Sequence, residues 1–475
     1  MGLAAITWVI TIVFCGIFLW ISWKVQDKAS ESFSSYAIAG GTLPLLLILF
    51  TDIATIMGTG NFIGHAAQGF TKGLSHLPFV FGEQGSKVIF ALVFAGLAGR
   101  FTYNTLSEMM EDLLHRDKVS RAIVGLLTAC IMIAWVGGQG KGLGDIFAVF
   151  TGADPTLMII LFSGVFIVYT VLGGIYSVVW TDLLQGIIVV VFGAVFYFYA
   201  FAPVNWSLTV LGQRLAAAGL GNLWNMSMPL GQFMDKFLTG CLGILAAQIY
   251  WQRCFAAKDS QTARNGMFLS GVFVILATCL TAMVGLVVRA INPGINANSA
   301  MPWMMMTQVP IGVTAVVFTL ILAAAMSSAD SNLNSAAVIV VNDLIRPFTK
   351  KSDKELVSLA KILTAVLGLF ACYAAIKATS IIGLFSQAYT LAGGSVVPVL
   401  LVGLLWKKDY SRPFAMGEHN SRLTSWGART GLIAGAVVSK FYGIVPGVAT
   451  STIVTLIVSA VTQPKVTVSE TGKAM

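Results

Sequence analysis

Charge is scarce in this sequence: Asp, Glu, Lys and Arg together make up 10% of 475 residues, against 57% hydrophobic ones. Soluble domains carry about 25% charged residues, so a chain this long cannot be two or three water-soluble domains. Histidine is rarer still. The four present, His65, His76, His115 and His419, lack Ser/His/Asp or metal-ligand spacing, which argues against an enzyme. The six cysteines (Cys15, Cys130, Cys241, Cys254, Cys279, Cys372) sit on or beside apolar runs without paired spacing. That excludes a zinc motif or a disulfide framework and leaves packing as their role. A basic arm and aromatic-basic interleaving are also missing, so the net charge of +9 is not a nucleic-acid signal.

What the sequence does have is apolar stretches of about 20 residues, each able to cross roughly 30 Å of hydrocarbon as a helix. Thirteen spans are read near residues 3–23, 43–65, 77–99, 122–150, 156–176, 180–202, 233–252, 265–291, 311–342, 357–377, 380–406, 428–446 and 448–463. The first has no basic residue before it and no cleavage pattern after it, so it reads as a retained helix rather than a signal peptide. Lys and Arg test the count, because cytoplasmic loops accumulate them. Of the 29 basic residues, twenty fall in loops after odd-numbered spans and six on the other side, with Lys87, Lys141 and Lys361 inside spans. This places the N-terminus outside and the C-terminus in the cytoplasm. The stretches near 204–231 and 407–427 read as ordinary loops, and the tail after Pro464 as short, polar and disordered.

The second span is interrupted by glycine and threonine around Met57-Gly-Thr-Gly60, at about mid-depth. Either small residues allow close helix packing there, or the helix breaks and its freed carbonyls meet an ion or solute. Five spans later, Leu238-Thr-Gly-Cys-Leu-Gly-Ile-Leu-Ala-Ala-Gln248 carries a comparable interruption. Because five is odd, two such units enter the membrane from opposite sides. The expected fold is therefore an all-α integral membrane protein of about 13 transmembrane helices with a five-plus-five inverted-repeat core. Residues 1–42 form a peripheral helix and linker, 43–202 the first repeat, 203–232 an external loop and 233–406 the second repeat. Residues 407–463 hold a cytoplasmic loop and two peripheral spans, and 464–475 a tail.

The ninth span embeds a polar cluster, Ser327-Ser-Ala-Asp-Ser-Asn-Leu-Asn-Ser335, in an apolar helix. Hydroxyls near a carboxylate suit a hard monovalent cation, and a buried Asp330 carries a cost that packing alone does not explain. Together with Gly173-Gly-Ile-Tyr-Ser-Val-Val-Trp-Thr-Asp-Leu-Leu-Gln185 and the Gln252-Arg-Cys-Phe-Ala-Ala-Lys258 turn, this cluster resembles the sodium/solute symporter family, which includes bacterial proline, pantothenate, sialic acid and galactose transporters. The resemblance covers spans 2 to 11. It implies a leucine-transporter-like fold, a bacterial inner membrane location, and a sodium site from main-chain oxygens of Ala54, Met57 and Ala324 with the hydroxyls of Ser327 and Ser328. Some relatives bind a second sodium through an acid matching Asp182 and two serines. Here Ser331 matches one serine and Asp330 replaces the other, leaving a second ion or a proton as open alternatives. Asn61 stands where sugar-carrying relatives place a substrate-contacting amide, and Gln248, Gln387 and Tyr389 are further solute candidates.

Glu83 and Lys87, and Lys141 and Asp145, are spaced to neutralise each other within a helix. Alternatively, Lys141 faces the cavity and attracts a carboxylate. The glycine-rich run around Lys141 has no preceding strand and no closing Lys-Ser/Thr, so it is no phosphate loop. Asp52, one turn from the ion site, either concentrates cations or caps a packing contact. The functional expectation is sodium-coupled uptake of a small organic solute (amino acid, carboxylate or sugar-like) by alternating access, with sodium as coupling ion, the lipid bilayer as surroundings and no obligate protein partner. A proton-coupled symporter of the same fold and a transporter-like nutrient sensor are the alternatives. A channel would need a filter or charged rings, which are not seen.

Overall fold

The computed structural model describes residues 2–29 and 32–463; the tail expected to be disordered lies outside the described residues. Within them the architecture is helical, with only isolated bridge pairs in place of strands. Among the described residues, ten helical segments are long and apolar enough to cross a membrane. The lipid-facing sides are apolar rather than charged: Ile12, Trp20, Leu369 and Phe370 are all exposed. In water such faces would aggregate, whereas in a bilayer they are the correct surface.

Helix α1 (Leu3–Ala29) lies along the long helix that follows the first hairpin. Next comes a broken pair, α2 (Leu45–Ile56) and α3 (His65–Lys72), joined through Met57–Thr59 and a wide turn at Gly60–Gly64. Helices α4 (Leu77–Phe90) and α5 (Lys118–Thr151) follow. Asp117 caps α5 by accepting from the Ser120 amide, and Gly152 ends it in the left-handed region at φ 74°. Asp154 and Pro155 then start α6 (Pro155–Phe201), which runs for 47 residues. At 1.5 Å per residue that is about 70 Å, too long for one crossing. Its two parts, Pro155–Leu172 and Val178–Val204, are each long and apolar enough to cross a membrane, as expected for the fifth and sixth spans, and helical backbone joins them.

The stretch expected as a plain external loop contains α7 (Leu208–Ala217), whose Leu211 and Leu215 are buried. A second broken pair, α8 (Leu230–Ala246) and α9 (Gln248–Ala256), is separated by Ala247 in an extended conformation. The remaining long helices are α10 (Ser260–Ile291), α11 (Ile311–Ile339), α12 (Asp353–Lys377), α13 (Ile381–Leu405), α14 (Ser425–Tyr442) and α15 (Ile444–Val461). At one end the two broken pairs are tied by backbone: the Leu43 amide donates to Ala256 O at 2.9 Å and the Lys258 amide to Leu43 O at 3.0 Å.

The second interruption falls one turn later than its glycines suggest. Gly240 and Gly243 remain helical, and the chain breaks at Ala247. The glycines serve close approach instead. A Cβ on Gly240 would strike the Glu83 amide and Phe79 carbonyl, and one on Gly82 would strike the Phe237 carbonyl. Helices α4 and α8 therefore meet backbone to backbone, which holds Glu83 against the second broken pair. Gly82→Val is expected to lower the thermal unfolding temperature in detergent by several degrees, an overpacking cost of about 1–3 kcal/mol. Gly164→Ala, with no atom within 4 Å of its added Cβ, is expected to change it little.

Candidate functional site

The break in α2 leaves main-chain groups that the helix cannot pair, and α11 and α5 supply the partners. Ser327 Oγ donates to Ala54 O at 2.7 Å and lies 3.2 Å from Ala324 O, while Ser328 Oγ donates to Thr55 O at 2.5 Å. The Thr59 amide donates to Gln139 Oε1 at 2.8 Å. A side chain at Gly58 would collide with both Ser328 and Gln139. Ala54, Met57, Ala324, Ser327 and Ser328 are all buried. Three of these five, Ala54, Ala324 and Ser327, are joined by hydrogen bonds, Ser328 bonds Thr55 next to Ala54, and Met57 is the residue that ends α2. The result is a neutral cluster of carbonyl and hydroxyl oxygens, a donor set suited to a hard monovalent cation.

The residues considered for a second ion surround a side chain that the sequence reading did not assign to the site. Arg253, on α9, places Nη2 2.5 Å from Thr55 Oγ1, 3.2 Å from both Thr51 Oγ1 and Ser331 Oγ, and 3.3 Å from Thr51 O. The same nitrogen is 3.8 Å from Asp182 Oδ2, which also accepts from Thr51 at 2.5 Å and Ser331 at 3.3 Å. Asp182 and Ser331 are thus brought together, but around a guanidinium. Asp330 accepts from the Ser331 amide of its own helix at 2.6 Å.

The expected Glu83–Lys87 pair is not formed. Lys87 instead bonds Asp52 at 2.5 Å and Ser270 at 3.0 Å. Asp52 is fully buried and its other oxygen lies 4.0 Å from Arg253 Nε. A buried carboxylate without a cation is costlier than a helical pair is worth, so Asp52 takes Lys87 across the α2–α4 contact. Lys141 does pair with Asp145, at 3.5 Å, and does not line the central cavity.

That small cavity of about 30 Å³ lies beside the break, lined among others by Thr55, Asn61, Glu83, Trp135, Tyr250 and Tyr389. A hydrogen-bond chain crosses it. Trp135 Nε1 donates to Tyr389 Oη at 2.8 Å, and Tyr389 donates to Glu83 Oε1 at 2.8 Å. Gln84 Nε2 donates to Glu83 Oε2 at 2.9 Å, His65 Nε2 lies 3.0 Å from the same oxygen, and His65 Nδ1 is 2.8 Å from His76 Nε2. Of the expected solute residues, Asn61 and Tyr389 are here. Asn61 spends its amide on Ile56 O at 2.9 Å and accepts from Thr278. Gln248 instead clamps a loop through the Leu106 amide and Asn104 O, and Gln387 is exposed at the surface. The reading missed Glu83, His65 and Gln84 as cavity residues. A signal was present in two histidines and an acid within one short hairpin, but three-dimensional proximity was needed to use it.

Arg253 is the cation nearest Asp182, and it also lies beside Asp52. Arg253→Met is therefore expected to destabilise the protein strongly, by about 3–5 kcal/mol as for other broken buried pairs. Adding Asp182→Asn is expected to recover part of that loss, read as the unfolding temperatures of the two variants.

The comparisons with known proteins agree with this architecture. The Sodium:solute symporter family model matches residues 36–416. The sodium/glucose cotransporter of Vibrio parahaemolyticus is 25% identical over 448 residues, covering 85% of this chain and 81% of that protein. The sodium/sialic acid symporter NanT of Aliivibrio fischeri is 23% identical over 465 residues, covering 92% and 89%. Among solved structures, a substrate-bound, outward-open Na+-coupled sialic acid symporter superposes with a TM-score of 0.80 at 20% identity, over 97% of this chain and 98% of that one. A nucleobase-cation-symport-1 family transporter in a closed conformation gives 0.62 at 16% identity, covering 91% and 96%. With the family model matching most of its length, and with two broken helices facing one polar helix, this chain belongs to the sodium:solute symporter family.

Proposed function

We propose that the protein couples the downhill entry of one sodium ion per cycle to uptake of a small organic solute by alternating access. The observation that carries this reading is the position of Thr55. Its carbonyl meets Ser328 on the ion side, its hydroxyl meets Arg253 and Ser331, and it lines the solute cavity. Ion and solute sites are therefore two faces of one helix break. A sodium ion held by Ala54, Met57, Ala324, Ser327 and Ser328 fixes the break in the geometry that completes the cavity. Coupling then follows from the ion's differential affinity for the two states.

One ion suffices because the guanidinium of Arg253 already fills the oxygen cage of Asp182, Thr51, Thr55 and Ser331 with a positive charge. The arrangement likewise speaks against Asp182 as a proton carrier. The Lys and Arg distribution supports an N-terminus outside and a C-terminus in the cytoplasm. The repeats are assigned to 43–202 and 233–406, in a bacterial inner membrane.

Sodium, but not potassium, is expected to raise the unfolding temperature of the purified protein by a few degrees. Ser327→Ala is expected to weaken that effect by about tenfold or more in sodium concentration. The Hill coefficient for sodium is expected near one. A value near two in wild type would contradict the single-ion assignment, and stabilisation that follows pH rather than sodium would contradict sodium coupling.

A further inference from the structure

We propose that the solute is a small protonated amine carrying at least one N–H, held between Glu83 and an aromatic box made by Trp135, Tyr250, Phe385 and Tyr389. This rests on the reading of the cavity as the solute site. The first observation is the balance of hydrogen-bonding groups in its lining. Each amide nitrogen spends one N–H on the protein: Asn61 Nδ2 on Ile56 O, Gln84 Nε2 on Glu83, Gln139 Nε2 on Trp135 O at 3.1 Å and Asn332 Nδ2 on Ser328 O at 2.6 Å. These partners also fix which end of each amide is nitrogen. The groups left without a protein partner are Gln84 Oε1, Asn332 Oδ1 and the Tyr250 hydroxyl, on side chains that are 2%, 1% and 0% exposed. Two of the three only accept, so the ligand must bring donors.

The second observation is charge. Among the described residues, Glu83 is the acid in the lining and no lysine or arginine lines the cavity. Lys87, one turn further along α4, is turned away to Asp52. The ring nitrogens of His65 are both engaged within the protein, Nε2 3.0 Å from Glu83 Oε2 and Nδ1 2.8 Å from His76 Nε2. A carboxylate ligand would meet Glu83 with no lysine or arginine in the lining to offset it.

The third observation is the shape of the walls. Tyr250 and Tyr389 both stand close to perpendicular to Trp135, at 79° and 78° with centroids 6.1 Å away, and Phe385 lies 6.3 Å from Trp135. Aromatic faces set around a carboxylate attract an ammonium group and shelter its alkyl part. Tyr250 already receives one ammonium in this way, with Lys87 Nζ 5.2 Å from its ring centroid.

The test uses the purified full-length protein with and without sodium. Its unfolding temperature is followed against ethanolamine, n-butylamine and dimethylamine, against myo-inositol and glucose, against butyrate, and against tetramethylammonium, which is cationic but has no N–H. At least one amine is expected to add stabilisation in sodium, with tetramethylammonium weaker by about tenfold or more. Glu83→Gln is expected to weaken amine binding by a similar factor, and Glu83→Asp to retain more of it. Absence of an amine shift, whether or not a polyol or butyrate produces one, overturns the proposal, as does equal binding of tetramethylammonium or unchanged amine binding in Glu83→Gln. The effect of sodium alone is read separately. Sodium stabilisation without an amine effect defeats only the amine assignment, whereas loss of the sodium effect defeats the symport reading beneath it.

Discussion

A helix that breaks within a bilayer exposes carbonyls and amides that lipid cannot satisfy, and the centre of this protein is organised around one such break. Between Ala54 and Asn61, Ser327 and Ser328 meet the carbonyls from α11, Gln139 meets an amide from α5, and Asn61 turns back to Ile56 O. Each partner comes from a different part of the chain, so the break persists only while α2, α5 and α11 stay packed together. The same groups that satisfy the backbone are those that would release it to a sodium ion. A modest rearrangement of two serine hydroxyls would thus exchange a closed, self-satisfied break for an ion-bound one.

A second constraint is the buried charge that surrounds the break. Asp52, Lys87, Asp182 and Arg253 are 0%, 0%, 0% and 4% exposed, and none could remain ionised there alone. They are arranged in alternation, Lys87 with Asp52 and Arg253 between Asp52 and Asp182. Because α2 supplies Asp52 and α9 supplies Arg253, this network ties the two broken pairs to each other. The Leu43–Ala257 backbone bridge does the same at one end of the molecule. Movement of one broken helix therefore has to carry the other.

Much of the fold was legible in one dimension because lipid imposes a one-dimensional rule, about 20 apolar residues per crossing. The spans, the glycine-threonine interruption at Met57–Gly60 and the polar run from Ser327 were visible for that reason. So were the serines that meet the break, since hydroxyls in an otherwise apolar helix stand out. The reading failed where two explanations share one local signature. Gly240 and Gly243 resembled a break but mark a close crossing. Gln248 looked like a polar group awaiting a solute, yet it holds a loop.

Composition and periodicity alone determined that this is a multi-pass helical membrane protein with an interrupted second span and a polar ninth one. The resemblance carried by its motifs supplied the family. Only the tertiary structure decided that Lys87 serves Asp52 rather than Glu83, that Arg253 fills the cage around Asp182, and that Glu83 is left facing an aromatic cavity. The reason is physical: hydrophobic length is a property of each segment by itself. The partner of a buried charge, by contrast, is chosen among all groups within a few ångströms, and most of those lie far away along the chain.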